Sequence, residues 1–559
     1  MTNTPERTPR WVVTELLDQV AELSRRFGLD PQFSRAGGGN SSVKADGVLY
    51  IKPSGVSLGS LTADALMPLD MKPLLALLNA HPDAGPAAGS EAVMRVAMAA
   101  RLRPVGERRP SVECLFHALV PRRFVLHTHP TIVTAVCCAR RGSFIAEQLF
   151  GETALWVDYV DPGLPLARAI SEARRRFEHR TGRPAPDVVL LQNHGLIVAG
   201  DDAPAVADAS MQAVEVVRRH LERLGSPRPG ARSRGATPST ETAMRAASQR
   251  RVDTIGPFLR GAFSTGPRLK VVAFDDSDDA VRLASTPEGR GLVLGGPLTP
   301  DQIVYSGSWP LWLKLPSGDD QDRIVTTIRA ALGDHVQARG VVPAIVVVEG
   351  LGMFVTGDTA RQVQTARDVY LDAVRTGLAA LRLGGVRALG PNERQFIEGW
   401  EAEAYRRGIE AAESVTGRGG GLVILITHAN EGLGPALAAD LVASGAHVVG
   451  VDGRGSLDVV HDLVRSHGGV DLVVSMRPGS TPDGFLAALA RIWALQHAAR
   501  PTCRGSILEV NPARADRSGP RDSQIRSPRP RSPADITVSA VDAVGRADLL
   551  EAVLGAASA

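Results

Sequence analysis

One stretch of this 559-residue chain occurs twice. Pro186-Asp-Val-Val-Leu-Leu-Gln-Asn-His194-Gly195-Leu-Ile-Val198-Ala-Gly200-Asp201 aligns without gaps, 157 residues further on, with Pro343-Ala-Ile-Val-Val-Val-Glu-Gly-Leu351-Gly352-Met-Phe-Val355-Thr-Gly357-Asp358. Each copy is a short apolar run, a polar turn closed by glycine, a second apolar run and then an alanine-rich helical pattern. That order predicts a duplicated strand-turn-strand-helix unit, and hence two related α/β regions. Chance likeness of two β-rich segments is the competing reading. Among the turn positions that differ between the copies, His194 is matched by Leu351, which cannot bind a metal.

A second feature gives that histidine a context. Phe124-Val-Leu-His127-Thr-His129-Pro130 reads as a buried strand, and side chains two residues apart on a strand share a face. His127 and His129 can therefore converge on one point. Glu113 lies upstream, and the turn Asn193-His194-Gly195 could supply a third nitrogen. Three imidazoles and an open position make a catalytic metal site, with Zn2+ favoured because neutral imidazole suits a borderline-soft cation, although another divalent metal would fit. The alternative is a set of core histidines satisfied by backbone groups.

The length suggests three or four domains or subdomains. No stretch approaches the ~20 consecutive apolar residues that span a bilayer, and the N-terminal pattern around Trp11, Leu16, Leu17, Val20, Leu23 and Phe27 is amphipathic rather than signal-like, so a cytoplasmic protein without membrane contact is expected. Cys114, Cys137, Cys138 and Cys503 have no disulfide or zinc-ribbon spacing. The net charge is +3 with arginines interspersed among acids, which argues against a nucleic-acid surface.

The expected organisation is a metal domain over residues 11–225, a Gly/Pro/Ser/Arg-rich linker over 226–245, a second α/β region that partly repeats the first over 246–417, and a Rossmann-like βαβ domain over 418–559. In the last, Leu422–Thr427 reads as a strand, Gly432-Leu-Gly434 opens a helix, and Ala446–Asp452 is a second strand ending in an acid. Gly432, Gly434 and Asp452 thus match the start of a dinucleotide site. His428 and Glu431 stand where a diphosphate would favour small, uncharged residues. Residues 512–533 turn to Arg/Ser/Pro composition and are expected to be a disordered excursion.

Taken together, Gly37-Gly38-Gly39-Asn40-Ser-Ser-Val-Lys44, Ile51-Lys-Pro-Ser54-Gly55, Arg109-Pro-Ser111-Val-Glu113 with His117, His127-Thr-His129-Pro130 and Asn193-His194-Gly195 resemble the class II aldolase/adducin family. Over residues 11 to about 510 the chain resembles bifunctional proteins that join a rhamnulose-1-phosphate aldolase to a short-chain dehydrogenase. Gly296-Pro297-Leu-Thr-Pro-Asp301 and Trp400-Glu-Ala-Glu403-Ala-Tyr405 add to that likeness.

The resemblance implies zinc on His127, His129 and His194, and Glu113, on the helix before the paired histidines, as the group that moves protons at an enediolate carbon. It also implies phosphate binding by Gly39, Asn40, Ser54, Gly55 and Ser111, where glycines let successive amides form an anion nest. Lys44 and Lys52 are read either as a positive field for that phosphate or as a solvated strand face. The implied reaction is cleavage of a phosphorylated, rhamnulose-1-phosphate-like ketose to dihydroxyacetone phosphate and an aldehyde, in a homo-oligomer. Epimerisation, dehydration or decarboxylation of a sugar phosphate, or a non-catalytic adducin-like interaction module, are the alternatives. Dehydrogenase activity and NAD(P) use are not expected, because the chain has no tyrosine after Tyr405 and no lysine after Lys314, so the Tyr-x-x-x-Lys pair is missing and the Rossmann-like domain is degenerate.

Overall fold

Buried, β-branched-rich runs set the strands of this protein. The computed structural model describes residues 8–79, 86–103, 106, 108–225, 238–264, 269–400, 417–477, 482–502, 505–511, 537–542 and 546–558. The segment 512–533, most of the expected linker and the Glu401–Tyr405 landmark lie outside the described residues. Two compact units are formed, one from Met1–Arg228, Gly295–Ser308 and Asp368–Ile409, the other from Pro229–Leu294, Trp309–Arg367 and Glu410–Ala559.

The first unit is built on seven strands: β1 (Asn40–Ala45), β2 (Val48–Ile51), β3 (Met67–Asp70), β4 (Phe124–Thr128), β5 (Ala154–Val157), β6 (Val188–Leu191) and β7 (Gly195–Gly200). Their order is β3-β2-β1-β4-β7-β6-β5. All neighbours are antiparallel except β5 and β6. Alternation along the central strands splits the core into two layers. Phe124 and Leu126 pack with Leu196 and Val198 against the helix Arg10–Leu29, while Val125 packs with Ile197 and Leu115 on the opposite face. His127 shares the face of Val125, and its ring meets that of Phe116 edge-on at 5.7 Å. The period of two therefore turns His127 toward the short helix Cys114–Leu119, at whose start Glu113 stands.

The second unit holds two sheets. The four-stranded one is made of β8 (Val271–Asp275), β9 (Leu311–Leu313), β10 (Ile345–Val348) and β11 (Gly352–Gly357) in the order β8-β11-β10-β9. This is the β4-β7-β6-β5 order of the first unit, with the same strand directions. Val188 faces Val198 and Leu191 faces Gly195 in one hairpin; Ile345 faces Val355 and Val348 faces Gly352 in the other, so the registers coincide at the 157-residue offset. Through Phe124↔Gly200 and Val271↔Gly357 the next strands match as well, which places Phe274 at the position of His127 and Asp276 at that of His129. The second copy thus lacks all three histidines.

The other sheet runs β13-β12-β14-β15-β16 and is wholly parallel, with β12 (Val423–Thr427), β13 (His447–Val451), β14 (Leu472–Ser475), β15 (Ser506–Asn511) and β16 (Thr537–Asp542). Strand order reverses between β12 and β14, and the loops after these two strands are tied by an ion pair, Arg477 Nη2 to Glu431 Oε2 at 3.0 Å. Among the described residues no helix is long and apolar enough to cross a membrane.

Candidate metal centre

The three histidines meet. His127 Nε2 lies 3.0 Å from His129 Nε2 and 3.2 Å from His194 Nε2. Strand β4 carries His127, His129 stands one residue beyond its end, and His194 closes the β6–β7 turn. Asn193 shapes that turn. It takes a left-handed conformation (φ +53°), which asparagine tolerates better than most residues, and its amide nitrogen donates to Leu298 O and Arg387 O, both at 2.8 Å. Arg387 donates back to Asn193 Oδ1 at 2.6 Å, so the side chain is satisfied at both ends.

For two of the rings, the group on the far side fixes which nitrogen faces inward. His127 Nδ1 is 2.9 Å from Leu196 O and donates to it, which leaves Nε2 as a bare lone pair. His129 Nδ1 is 2.6 Å from Asp301 Oδ2. Burial pushes the His127 imidazole down to about 3, against the attraction of Glu113, so the ring is neutral at physiological pH. Ligand nitrogens on a tetrahedral ion at ~2.0–2.1 Å are separated by about 3.3 Å. The Nε2 atoms, 3.0 and 3.2 Å apart, lie close to that spacing, and the three side chains fit a divalent ion.

Glu113 is buried, and it stands at the N-cap of Cys114–Leu119 rather than within that helix. Its Oε1 is 3.5 Å from both His127 Nε2 and His194 Nε2, and its Oε2 accepts from Asn40 Nδ2 at 3.2 Å. Burial opposes its ionisation, but pairing with whichever of His127 and His194 carries a proton, together with the His194 hydrogen bond, holds the carboxyl well below its usual range. A carboxylate therefore faces the position where the three nitrogens converge.

Close approach explains two glycines of the motifs. A Cβ on Gly38 would sit 2.5 Å from Asp301 Oδ2, and one on Gly195 would sit 2.6 Å from His129 Cδ2. Of the residues assigned to phosphate, Gly39 (φ +79°) and Gly55 (φ +80°) have the left-handed backbone of a nest. The Ser54 amide donates to Arg109 O at 3.0 Å, Asn40 Nδ2 also bonds Ser111 Oγ, and that hydroxyl accepts from the Glu113 amide at 3.2 Å. Asn40 thus touches the carboxylate, while Ser111 touches Asn40 and the backbone amide of Glu113. Neither lysine lies on a solvated face: Lys52 is buried and donates to Val56 O at 2.6 Å, and Lys44 donates to Val120 O and Arg122 O.

Sequence reasoning assigned no role to Asp301, Arg387 or His117. His117 is buried with Nδ1 2.7 Å from Ser42 Oγ. Asp301 falls in a quoted landmark, but no spacing rule could connect it to His129. In the second unit Gly432 has φ +54°, a Cβ on Gly434 would strike Ala429 O at 2.2 Å, and Asp452 follows β13.

Residues 18–221 match the family model of the class II aldolase and adducin N-terminal domain. The chain is 25% identical over 465 residues to the uncharacterized oxidoreductase YuxG of Bacillus subtilis; the match covers 78% of this chain and 64% of that relative's length. Among solved structures, the N-terminal class II aldolase domain of a conserved Thermoplasma acidophilum protein is 24% identical, with 40% of this chain and 99% of that one covered (TM-score 0.33). For L-fuculose-1-phosphate aldolase from Thermus thermophilus the values are 17%, 38% and 98% (TM-score 0.25).

Proposed function

We propose that this chain is a zinc-dependent aldolase that cleaves a phosphorylated ketose, rhamnulose-1-phosphate-like, into dihydroxyacetone phosphate and an aldehyde. The observation that carries the reading is the convergence of His127, His129 and His194 with Glu113 Oε1 3.5 Å from two of the three nitrogens. Zinc held by the three Nε2 atoms would supply Lewis acidity toward the ketose carbonyl and stabilise the negative charge that develops when the neighbouring bond breaks. Glu113 holds the proton at the carbon beside that carbonyl, kept in place by Asn40. Asp301 and Leu196 O orient the rings of His129 and His127. Gly39, Asn40, Ser54, Gly55 and Ser111 receive the phosphate.

The second unit's parallel sheet is read as a degenerate, short-chain-dehydrogenase-like Rossmann domain over residues 418–559. Dinucleotides bind where strand order reverses, and here the Glu431–Arg477 pair links the loops at that point, with a carboxylate where a diphosphate would lie. This supports a chain without NAD(P)-dependent activity, and Gly432, Gly434 and Asp452 as vestiges.

Elemental analysis of His127→Ala and Glu113→Gln, together with product trapping from a panel of ketose 1-phosphates, tests the proposal. Zinc should leave with His127, whereas Glu113→Gln should keep zinc and lose at least about 100-fold in turnover, the scale of general acid–base catalysis. Full turnover in Glu113→Gln, or conversion of the panel by epimerisation or decarboxylation with no aldehyde released, would exclude it.

A further inference from the structure

A small polar pocket, open to solvent, adjoins His129 within the first unit and is lined in part by Arg35, Thr134, Asp301 and Asp372. Two of its polar atoms are buried without a hydrogen-bond partner, Arg35 Nε and Thr134 Oγ1. Buried donors are normally satisfied, so two at one cavity mark a place for something that accepts from both. Arg35 Nε and Asp372 Oδ1 are 3.9 Å apart, too far for a direct bond. The same Asp372 oxygen accepts from Thr131 Oγ1 at 2.6 Å, so the carboxylate is set in place rather than free to close the gap.

The charge balance of the cavity selects the ligand. One guanidinium stands against two carboxylates, Asp301 and Asp372, which disfavours a second phosphate or a carboxylate ligand. Carboxylates accept from hydroxyls, and the guanidinium and threonine donate to them; a group with vicinal hydroxyls satisfies all four residues. We propose that this cavity is a subsite for the neutral, hydroxyl-bearing part of the substrate, with Arg35, Thr134 and Asp372 as its specificity-determining contacts. The proposal rests on the aldolase reading for the identity of that part, the aldehyde half that lies beyond the cleaved bond. Asp301 then has two duties, since it both orients His129 and walls the cavity.

The test separates binding from turnover. Saturation-transfer NMR on the zinc-loaded chain would compare threitol with butane-1,4-diol, which lacks the secondary hydroxyls, for wild type, Thr134→Val, Arg35→Met and Arg35→Lys. The same proteins would condense dihydroxyacetone phosphate with glyceraldehyde and with propanal. Wild type should favour the hydroxylated partner at least about tenfold in both assays, the scale of one hydrogen bond. Thr134→Val, which is nearly isosteric and removes an unsatisfied hydroxyl, and Arg35→Met should erase most of that preference, lowering turnover of glyceraldehyde more than that of propanal with zinc content retained, and Arg35→Lys should restore part of it. Failure of wild type to discriminate threitol from the diol, or equal losses toward both aldehydes, overturns the subsite and leaves a water-filled cavity. Discrimination of the polyols without any condensation would instead overturn the aldolase reading and leave the subsite standing.

Discussion

Asp301 Oδ2 lies 2.6 Å from His129 Nδ1, so a carboxylate 172 positions away in sequence fixes the tautomer of a histidine whose other nitrogen meets two more imidazoles. The segment that brings it, Gly295–Ser308, lies beyond the matched domain of residues 18–221 yet packs into the same compact unit. A carboxylate behind a metal-binding imidazole raises its basicity and locks its orientation.

Asp301→Asn should therefore weaken zinc binding about 10-fold to 100-fold, the usual scale for such partners, with little change in fold. Competition with a chromogenic chelator measures this directly. Unchanged affinity would mean that the Asp301–His129 bond is only structural.

Asn193→Ala removes both a side chain that tolerates φ +53° and its bonds to Leu298 O and Arg387 O. A loss of about 2–4 kcal/mol in unfolding free energy is expected from the strain and the unpaired carbonyls together. Asn193→Gly keeps the backbone freedom but not the bonds, and should fall between wild type and the alanine variant in denaturant midpoint. Equal stability of all three would contradict the role given to the turn.

Gly195→Ala would force a Cβ to 2.5 Å from Thr128 O and 2.6 Å from His129 Cδ2. Overpacking of this kind costs about 1–3 kcal/mol, and here the ring must move with it, so zinc occupancy should fall along with the melting temperature. Retention of full zinc stoichiometry would show that the turn relaxes without disturbing His129.

Lys44 supplies a pH dependence remote from the histidines. Burial pushes its ammonium down to about 7 from an ordinary 10.5, although it donates to Val120 O and Arg122 O at 2.9 and 2.8 Å. Between these two values the unfolded chain binds more protons than the folded one, so this group makes stability rise as pH climbs from about 7 toward 10.5, and the penalty is full below 7. Relative to Lys44→Met, wild type should gain stability over that window in chemical denaturation. A difference that is flat or falls with pH would refute the assignment.

NADH fluorescence titration checks the second unit. No saturable binding is expected from wild type, and Glu431→Ala should remove the repulsion without restoring oxidoreductase activity, since the chain still lacks the tyrosine-lysine pair. Turnover of NADH by either protein would require a different hydride-transfer chemistry in this domain.

Much of this protein is readable from local pattern. Periods of two and glycine-closed turns place the β6–β7 and β10–β11 hairpins, and the i, i+2 rule turns His127 and His129 to one side. The likeness of β8 to β4 was not readable, because Val271–Asp275 and Phe124–Thr128 share a register and a partner strand but hardly any residues. Nor did pattern distinguish a nest glycine from one emptied for contact, as at Gly38, whose missing side chain makes room for Asp301.

The sequence alone determined which atoms could bind a metal and which strands would carry them, since ligand chemistry and side-chain alternation are local properties. Tertiary structure decided that Asp301 backs His129, that Asn40 holds Glu113, and that Arg35 faces Asp372 across a cavity. Those relations depend on where the chain returns after leaving the first sheet, and that return is fixed by packing among residues far apart in sequence.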